Sequence, residues 1–203
     1  HETPEAYAAD GLKAMAESVL AAKPPAAGDK PGWAKLPPKA IVRTVFNGVT
    51  AGEFDPVQKA DDATDVAYVG EFRHIKGADL LIDAVARLHA GGKKVTLTLG
   101  GDGEEMDHLE AQVSQLHLGE AVRFLGHVKA RYGFSKGSLL VVPSRGDSMP
   151  YVVIEAAAAG IPMVAANVGG IPEIFGADHA DALFAPNVAS AMADAIGRAL
   201  DDM

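Results

Sequence analysis

The 203-residue chain has no cysteine, which excludes disulfides and thiolate metal sites. That absence fits a reducing compartment, so a cytoplasmic setting is expected. No apolar run approaches the ~20 residues that cross a bilayer. The opening His-Glu-Thr-Pro-Glu-Ala-Tyr lacks the basic stretch and apolar core of a signal peptide. Positive charge is scarce too: 18 Lys and Arg against 27 Asp and Glu leave a net charge of −9. So acidic a surface repels a phosphate backbone, so no nucleic-acid partner is expected. A small anionic ligand is a different matter, because it needs only a local cluster of donors. The seven histidines, at 1, 74, 89, 108, 117, 127 and 179, show no His-x-x-x-His spacing, so no metal site is expected. The Gly-x4-Gly-Lys-Ser/Thr phosphate loop is missing, and Ser144 lacks the Gly-x-Ser-x-Gly setting of a nucleophile elbow.

What is present is a core. With 48% apolar residues, the chain can bury a full domain interior. Residues 1–40 read as a helix over 1–22 and a Pro-rich linker over 23–38, and 41–46 as a strand stopped by Asn47-Gly48. From residue 66 a regular alternation begins. Short apolar runs at 66–69, 95–99, 122–125, 139–142, 163–166 and 182–185 alternate with helical patterns such as Leu81, Val85 and Leu88. Strands so short and so uniformly apolar are buried on both faces, which predicts a doubly wound α/β domain around a parallel sheet, over residues 41–203. In such sheets ligands bind beyond the carboxyl ends of the strands, so the loops after each strand carry the function.

After the first strand, Gly70-Glu71-Phe72-Arg73-His74-Ile75-Lys76-Gly77 sets Arg73 and Lys76 at the switch point, where they could grip a diphosphate. The plainer alternative is two solvated cations at a helix start. Gly100-Gly101-Asp102-Gly103 loosely matches a dinucleotide fingerprint, but Met106 replaces the third glycine and the acidic residues repel a pyrophosphate. It reads instead as a glycine-rich turn capped by Asp102. The most informative stretch is Pro143-Ser144-Arg145-Gly146-Asp147-Ser148-Met149-Pro150, leading into an apolar helix over Tyr151–Ala159. A helix N-terminus offers unpaired N–H groups and a partial positive charge, a ready anion site. Glu155 lies one turn inside among apolar neighbours, where a carboxylate needs a partner or a ligand. The alternative reading makes Asp147 or Ser148 a plain N-cap. After the fifth strand, Gly169-Gly170 permits close backbone approach to a ligand, and Pro172 can start another helix.

Read in order, Gly70…Lys76-Gly77, Gly101-Asp102-Gly103, Val122-Arg123-Phe124-Leu125-Gly126, Pro143-Ser144, Asp147-x7-Glu155-Ala156, Gly160-x-Pro162 and Gly169-Gly170-x-x-Glu173 form a set. Over about residues 41–200 this set resembles the C-terminal, donor-binding domain of retaining group-1 glycosyltransferases of the GT-B fold. Asn47-Gly48-Val49…Phe54 looks like the hinge passage into that domain. The resemblance implies sugar transfer from a nucleotide sugar with retention of configuration and no cofactor or bound metal. It assigns Lys76 and Arg73 to the donor diphosphate, Glu155 to the ribose and Asp147 to the donor sugar. Gly70 would belong to the donor-binding site, Gly126 and His127 would line the base pocket, and Ser148, Met149, Pro150, Tyr151 and Val152 would meet the sugar and phosphates. Tyr132 and Phe134 could stack on the base, although packing is the commoner fate of such aromatics.

Three departures stand out: Asp147 replaces the motif's first glutamate, Glu71 an arginine and Pro150 a glycine. The acceptor half would lie in an N-terminal domain outside this chain, as would any peripheral membrane contact, so the isolated chain is expected to bind donor weakly and transfer nothing. Two alternatives stay open at this level: a nucleotide-sugar epimerase of the same fold, and a non-catalytic nucleotide-binding or scaffold domain.

Overall fold

In the computed structural model, which describes residues 47–203, the six apolar segments pair side by side in one sheet. The strands are β1 (Thr64–Val69), β2 (Leu97–Gly100), β3 (Val122–Gly126), β4 (Gly137–Val142), β5 (Met163–Ala166) and β6 (Leu183–Phe184). Every pairing is parallel, in the order β3-β2-β1-β4-β5-β6. The helices are α1 (Ala78–Ala90), α2 (Met106–Gln115), α3 (Ala130–Phe134), α4 (Tyr151–Ala158), α5 (Ile171–Phe175) and α6 (Ala189–Asp201). None of these helices is long and apolar enough to cross a membrane. The expected helix over 1–22, linker over 23–38 and strand over 41–46 lie outside the described residues.

Alternate residues of each strand feed two separate cores. Val66, Tyr68, Leu139 and Val141 pack with Leu81 and Val85 of α1, Leu109 of α2 and Met192 and Ile196 of α6. Ala67, Leu140 and Val142 point the other way, into Val153 and Ile154 of α4 and Ile174 and Phe175 of α5. Both faces are therefore covered, as near-continuous apolar strands require. Each fully buried Leu or Ile stabilises the fold by roughly 1.5–3 kcal/mol relative to exposure. Leu81, Ile82, Leu97, Leu99 and Leu139 all qualify.

Strand ends shift where side chains intervene. Pairing of β2 with β1 begins at Leu97, not Val95, because the Asp65 carboxylate takes the Thr96 N–H at 2.7 Å and its hydroxyl at 2.6 Å. Val95 lies against His89, whose Nε2 is 2.8 Å from its carbonyl. At the other edge, a 3₁₀ segment over Ala177–Ala182 shortens β6 to two residues. The five-residue α3 is too short for a helical period to show in sequence.

Strand order reverses between β1 and β4, whose C-terminal ends open side by side. That switch point is where a doubly wound sheet leaves a crevice.

Candidate donor site

The crevice is a cleft of ≈ 390 Å³ between the ends of β1 and β4. Gly70, Glu71, Arg73 and Lys76 line it from the first loop; Ser144, Asp147, Met149 and Pro150 line it from the fourth, with Tyr151 and Val152 at the head of α4. Eight of the expected site residues thus line one cavity: Gly70, Arg73, Lys76, Asp147, Met149, Pro150, Tyr151 and Val152; Ser148, on the same loop, is not part of its lining.

Backbone packing fixes these loops. Phe72 is fully buried, its N–H donating to Asp102 O at 2.7 Å and its carbonyl accepting from Glu105 N at 3.0 Å. Gly77 takes a left-handed turn (φ 74°) against the Pro143 carbonyl, so any Cβ there would collide. Gly169 (φ 54°) and Gly170 press against the carbonyls of Asp147 and Ser148, and Gly170 N donates to Asp147 O at 3.2 Å. The glycine pair therefore meets the neighbouring loop's backbone; its smallness serves protein packing. Likewise Gly101 and Gly103 abut Gly70 and Phe72. Asp102 makes no side-chain cap: its carboxylate lies 3.6 Å from His127 Nδ1, both well exposed.

The charges of the cleft converge on one contact. Lys76 Nζ donates to Asp147 Oδ2 at 2.6 Å, with Asp147 the more buried partner. Arg73, by contrast, is exposed and 3.6 Å from Glu71, so the departure at 71 supplies its neighbour's counter-charge. Neither Asp147 nor Ser148 caps α4. The N-cap is Pro150, with no side-chain hydrogen bond, so the first-turn N–H groups of Tyr151 and Val152 stand uncapped at the cleft. Proline itself contributes no N–H.

Glu155 is half-buried on the second turn of α4. Burial, and then the charge of Glu53, hold its carboxyl above the ordinary glutamate value, and no cation offsets them among the described residues. Glu53 belongs to a 3₁₀ turn over Ala51–Phe54 that packs on α4. This passage is tied down by Asn47, whose Nδ2 donates to Met149 O at 3.0 Å, and by Arg131, which donates to the carbonyls of Glu53 and Asp55. Glu155 itself lies outside the cleft lining.

The structure separates other expected residues from this cluster. Gly126 and His127 sit at the end of β3, outside the lining of the cleft. Phe134 is 2% exposed in the α4-side core, which leaves no face for a base. Tyr132 is half exposed, but its ring lies under the Lys136 ammonium, 4.9 Å from the centroid. Among the described residues no three acidic or histidine side chains gather as a metal site.

Sequence reasoning missed several residues. Arg145 forks Asp79, Nη1 to Oδ1 at 2.7 Å and Nη2 to Oδ2 at 2.6 Å, and Nη1 also donates to His74 O at 2.6 Å. Burial pushes the Asp79 carboxyl up, but the hydrogen bonds and charge of Arg145 outweigh it and hold it below the ordinary value. Tyr68 is buried under the cleft, its hydroxyl donating to Glu71 O at 2.8 Å; burial and then Glu71 push the phenol upward. An arginine two residues before Asp147 and an aspartate in the first turn of α1 are the only sequence traces of this pairing.

A family model described as "Glycosyl transferases group 1" matches residues 63–202. The chain belongs to the group 1 glycosyltransferases. It is 30% identical over 171 residues to a glycogen synthase of Mycobacterium tuberculosis, covering 82% of this chain and 41% of that protein. It is 33% identical over 177 residues to a D-inositol 3-phosphate glycosyltransferase of Mycobacteroides abscessus, covering 79% and 39%. Anabaena HepE, solved with UDP-glucose, superposes with a TM-score of 0.63 at 28% identity, over 70% of this chain and 40% of that one. Sucrose-phosphate synthase from Thermosynechococcus elongatus gives 0.62 at 34% identity, over 76% and 42%. The chain spans about two-fifths of the length of these relatives.

Proposed function

We propose that this chain is the donor-binding half of a glycosyltransferase that transfers a sugar from a nucleoside-diphosphate sugar with retention of configuration. The observation that carries the reading is the convergence of Lys76 and the uncapped head of α4 on one switch-point cleft. Both supply positive potential where a diphosphate would lie. As the sugar bond breaks, negative charge grows on the leaving diphosphate, and fixed donors at that place lower the barrier. No metal is required for this, and chelator is expected to leave donor binding unchanged. Asp147, at the same ammonium, is the residue we assign to the donor sugar. Glu155, an uncompensated carboxylate one turn down α4, is the residue we assign to a ribose hydroxyl. HepE holds UDP-glucose in its crystal structure, which supports a donor of this class. The acceptor would be held by an N-terminal domain, and the lack of cysteine supports a reducing, cytoplasmic setting.

The test is a calorimetric panel of UDP, GDP, ADP and their sugar conjugates against this chain, with a transfer assay alongside. Binding of one nucleotide series with no transfer is the expected outcome. Failure to bind any of them would overturn the donor reading, and sugar transfer by the isolated chain would overturn the half-site reading.

A further inference from the structure

We propose that Arg145 is a positioning residue that fixes Lys76 by clamping the turn that carries it to the loop that carries Asp147. The part concerning donor affinity rests on the proposed function above; the clamp itself does not.

Lys76 ends a 3₁₀ turn of three residues, His74–Lys76, whose internal bonds are Lys76 N to Arg73 O at 2.8 Å and Gly77 N to His74 O at 3.2 Å. So short a turn does not hold itself. Arg145 bonds two carbonyls of this turn: that of His74, which so accepts a second bond, and that of Ile75, which has no partner within the turn. The side chain reaches His74 O at 2.6 Å and the main-chain N–H reaches Ile75 O at 2.8 Å. Arg145 is held in turn by the forked Asp79 carboxylate, in the first turn of α1, with side-chain exposures of 15% and 18%. A planar guanidinium meets both oxygens of a carboxylate in one fork and still has a donor for a carbonyl; an ammonium carries its three donors on one atom and lacks that fork. Arg145 does not line the cleft, so its charge is spent on Asp79 and on the turn. Two residues further along, Asp147 takes the Lys76 ammonium. The Arg145 side chain thereby adds a further tie, beside the main-chain contacts, between the two loops whose charged groups meet.

The experiment compares wild type, Arg145→Ala, Arg145→Lys and Asp79→Asn by hydrogen exchange over peptides spanning 70–77, and by titration with UDP, GDP and ADP. The peptide carrying the turn is expected to exchange at least roughly tenfold faster in Arg145→Ala and Arg145→Lys, with α6 peptides unchanged. The tightest of the three nucleotides is expected to bind roughly tenfold more weakly to both variants, with Asp79→Asn intermediate. In a Lys76→Ala background, Arg145→Lys is expected to change affinity no further, since Arg145 acts through Lys76. Unchanged exchange in folded Arg145→Lys overturns the clamp. An equal loss of affinity with and without Lys76 overturns its action through that lysine. If wild type binds none of the nucleotides, the donor reading and the affinity effect assigned to Arg145 fall, while exchange still decides whether the clamp exists.

Discussion

Replacing Asp147 by Asn is expected to tighten the binding of a bare nucleoside diphosphate. In the structure the Lys76 ammonium is already engaged at 2.6 Å by a carboxylate that is only 12% exposed. A diphosphate drawn to that ammonium must share it with Asp147 and lie near a like charge. For a phosphate charge roughly 6 Å from the carboxylate, the repulsion is about 0.7 kcal/mol in bulk water and about 3 kcal/mol at an effective dielectric of 20. The cleft is open, so an intermediate value of about 1–2 kcal/mol is expected, or roughly five- to thirtyfold in Kd. Asparagine keeps the size and a hydrogen-bonding oxygen while removing the charge. Isothermal titration of wild type and D147N with UDP, GDP and ADP measures the difference. Titration at ~0.05 and ~0.5 M salt should show the gain shrinking, because mobile ions screen the repulsion. For the sugar conjugate the gain should be smaller, since the residue proposed to meet the sugar has been altered. If D147N binds the bare diphosphate no tighter than wild type at low salt, the Lys76 ammonium is not where the phosphates sit.

Two further outcomes follow from other parts of the site. Glu155 is held above its ordinary value of 4.5, so the folded chain binds that proton more tightly than the unfolded chain does. Its contribution to stability is then fully present below 4.5 and is lost as pH rises through the raised folded value. E155Q should therefore melt higher than wild type at neutral pH and lose that advantage in acid, as thermal melts across pH would show; equal melting at neutral pH would remove the uncompensated charge from the account. G169A forces a Cβ into the Asp147 carbonyl from a left-handed backbone, where the conformation alone costs roughly 1–2 kcal/mol. A melting drop of at least roughly 4 °C is expected, against almost none for G119A, whose site is open. Equal melting of the two variants would mean that the loops do not interlock.

The sheet was legible in the sequence because each buried strand is a short apolar run between turn residues, and six such runs leave little choice of architecture. The cleft was legible for the same reason: once β1 and β4 are known, Lys76 and Asp147 must emerge near each other. The pairing of those two was not foreseen, nor was the Arg145–Asp79 fork. Side-chain partners across 71 or 66 residues depend on loop paths, which no local period encodes. Tyr132 and Phe134 show the converse. An aromatic next to a site-forming strand looks like a stacking platform until burial shows that Phe134 fills the core. Gly169-Gly170 reads in the sequence as a place where a ligand could come close to the backbone; in the structure what comes close is the loop of Asp147.

That interlock bears on how such a site can change. The walls of the cleft are set by main chain against main chain, glycine to carbonyl, at 77, 101, 169 and 170. The side chains that project into it, at 71, 147 and 150, hang from this frame without supporting it. A change at any of those three places therefore alters the charge and shape that face the cleft while leaving the glycine-to-carbonyl contacts of its walls in place.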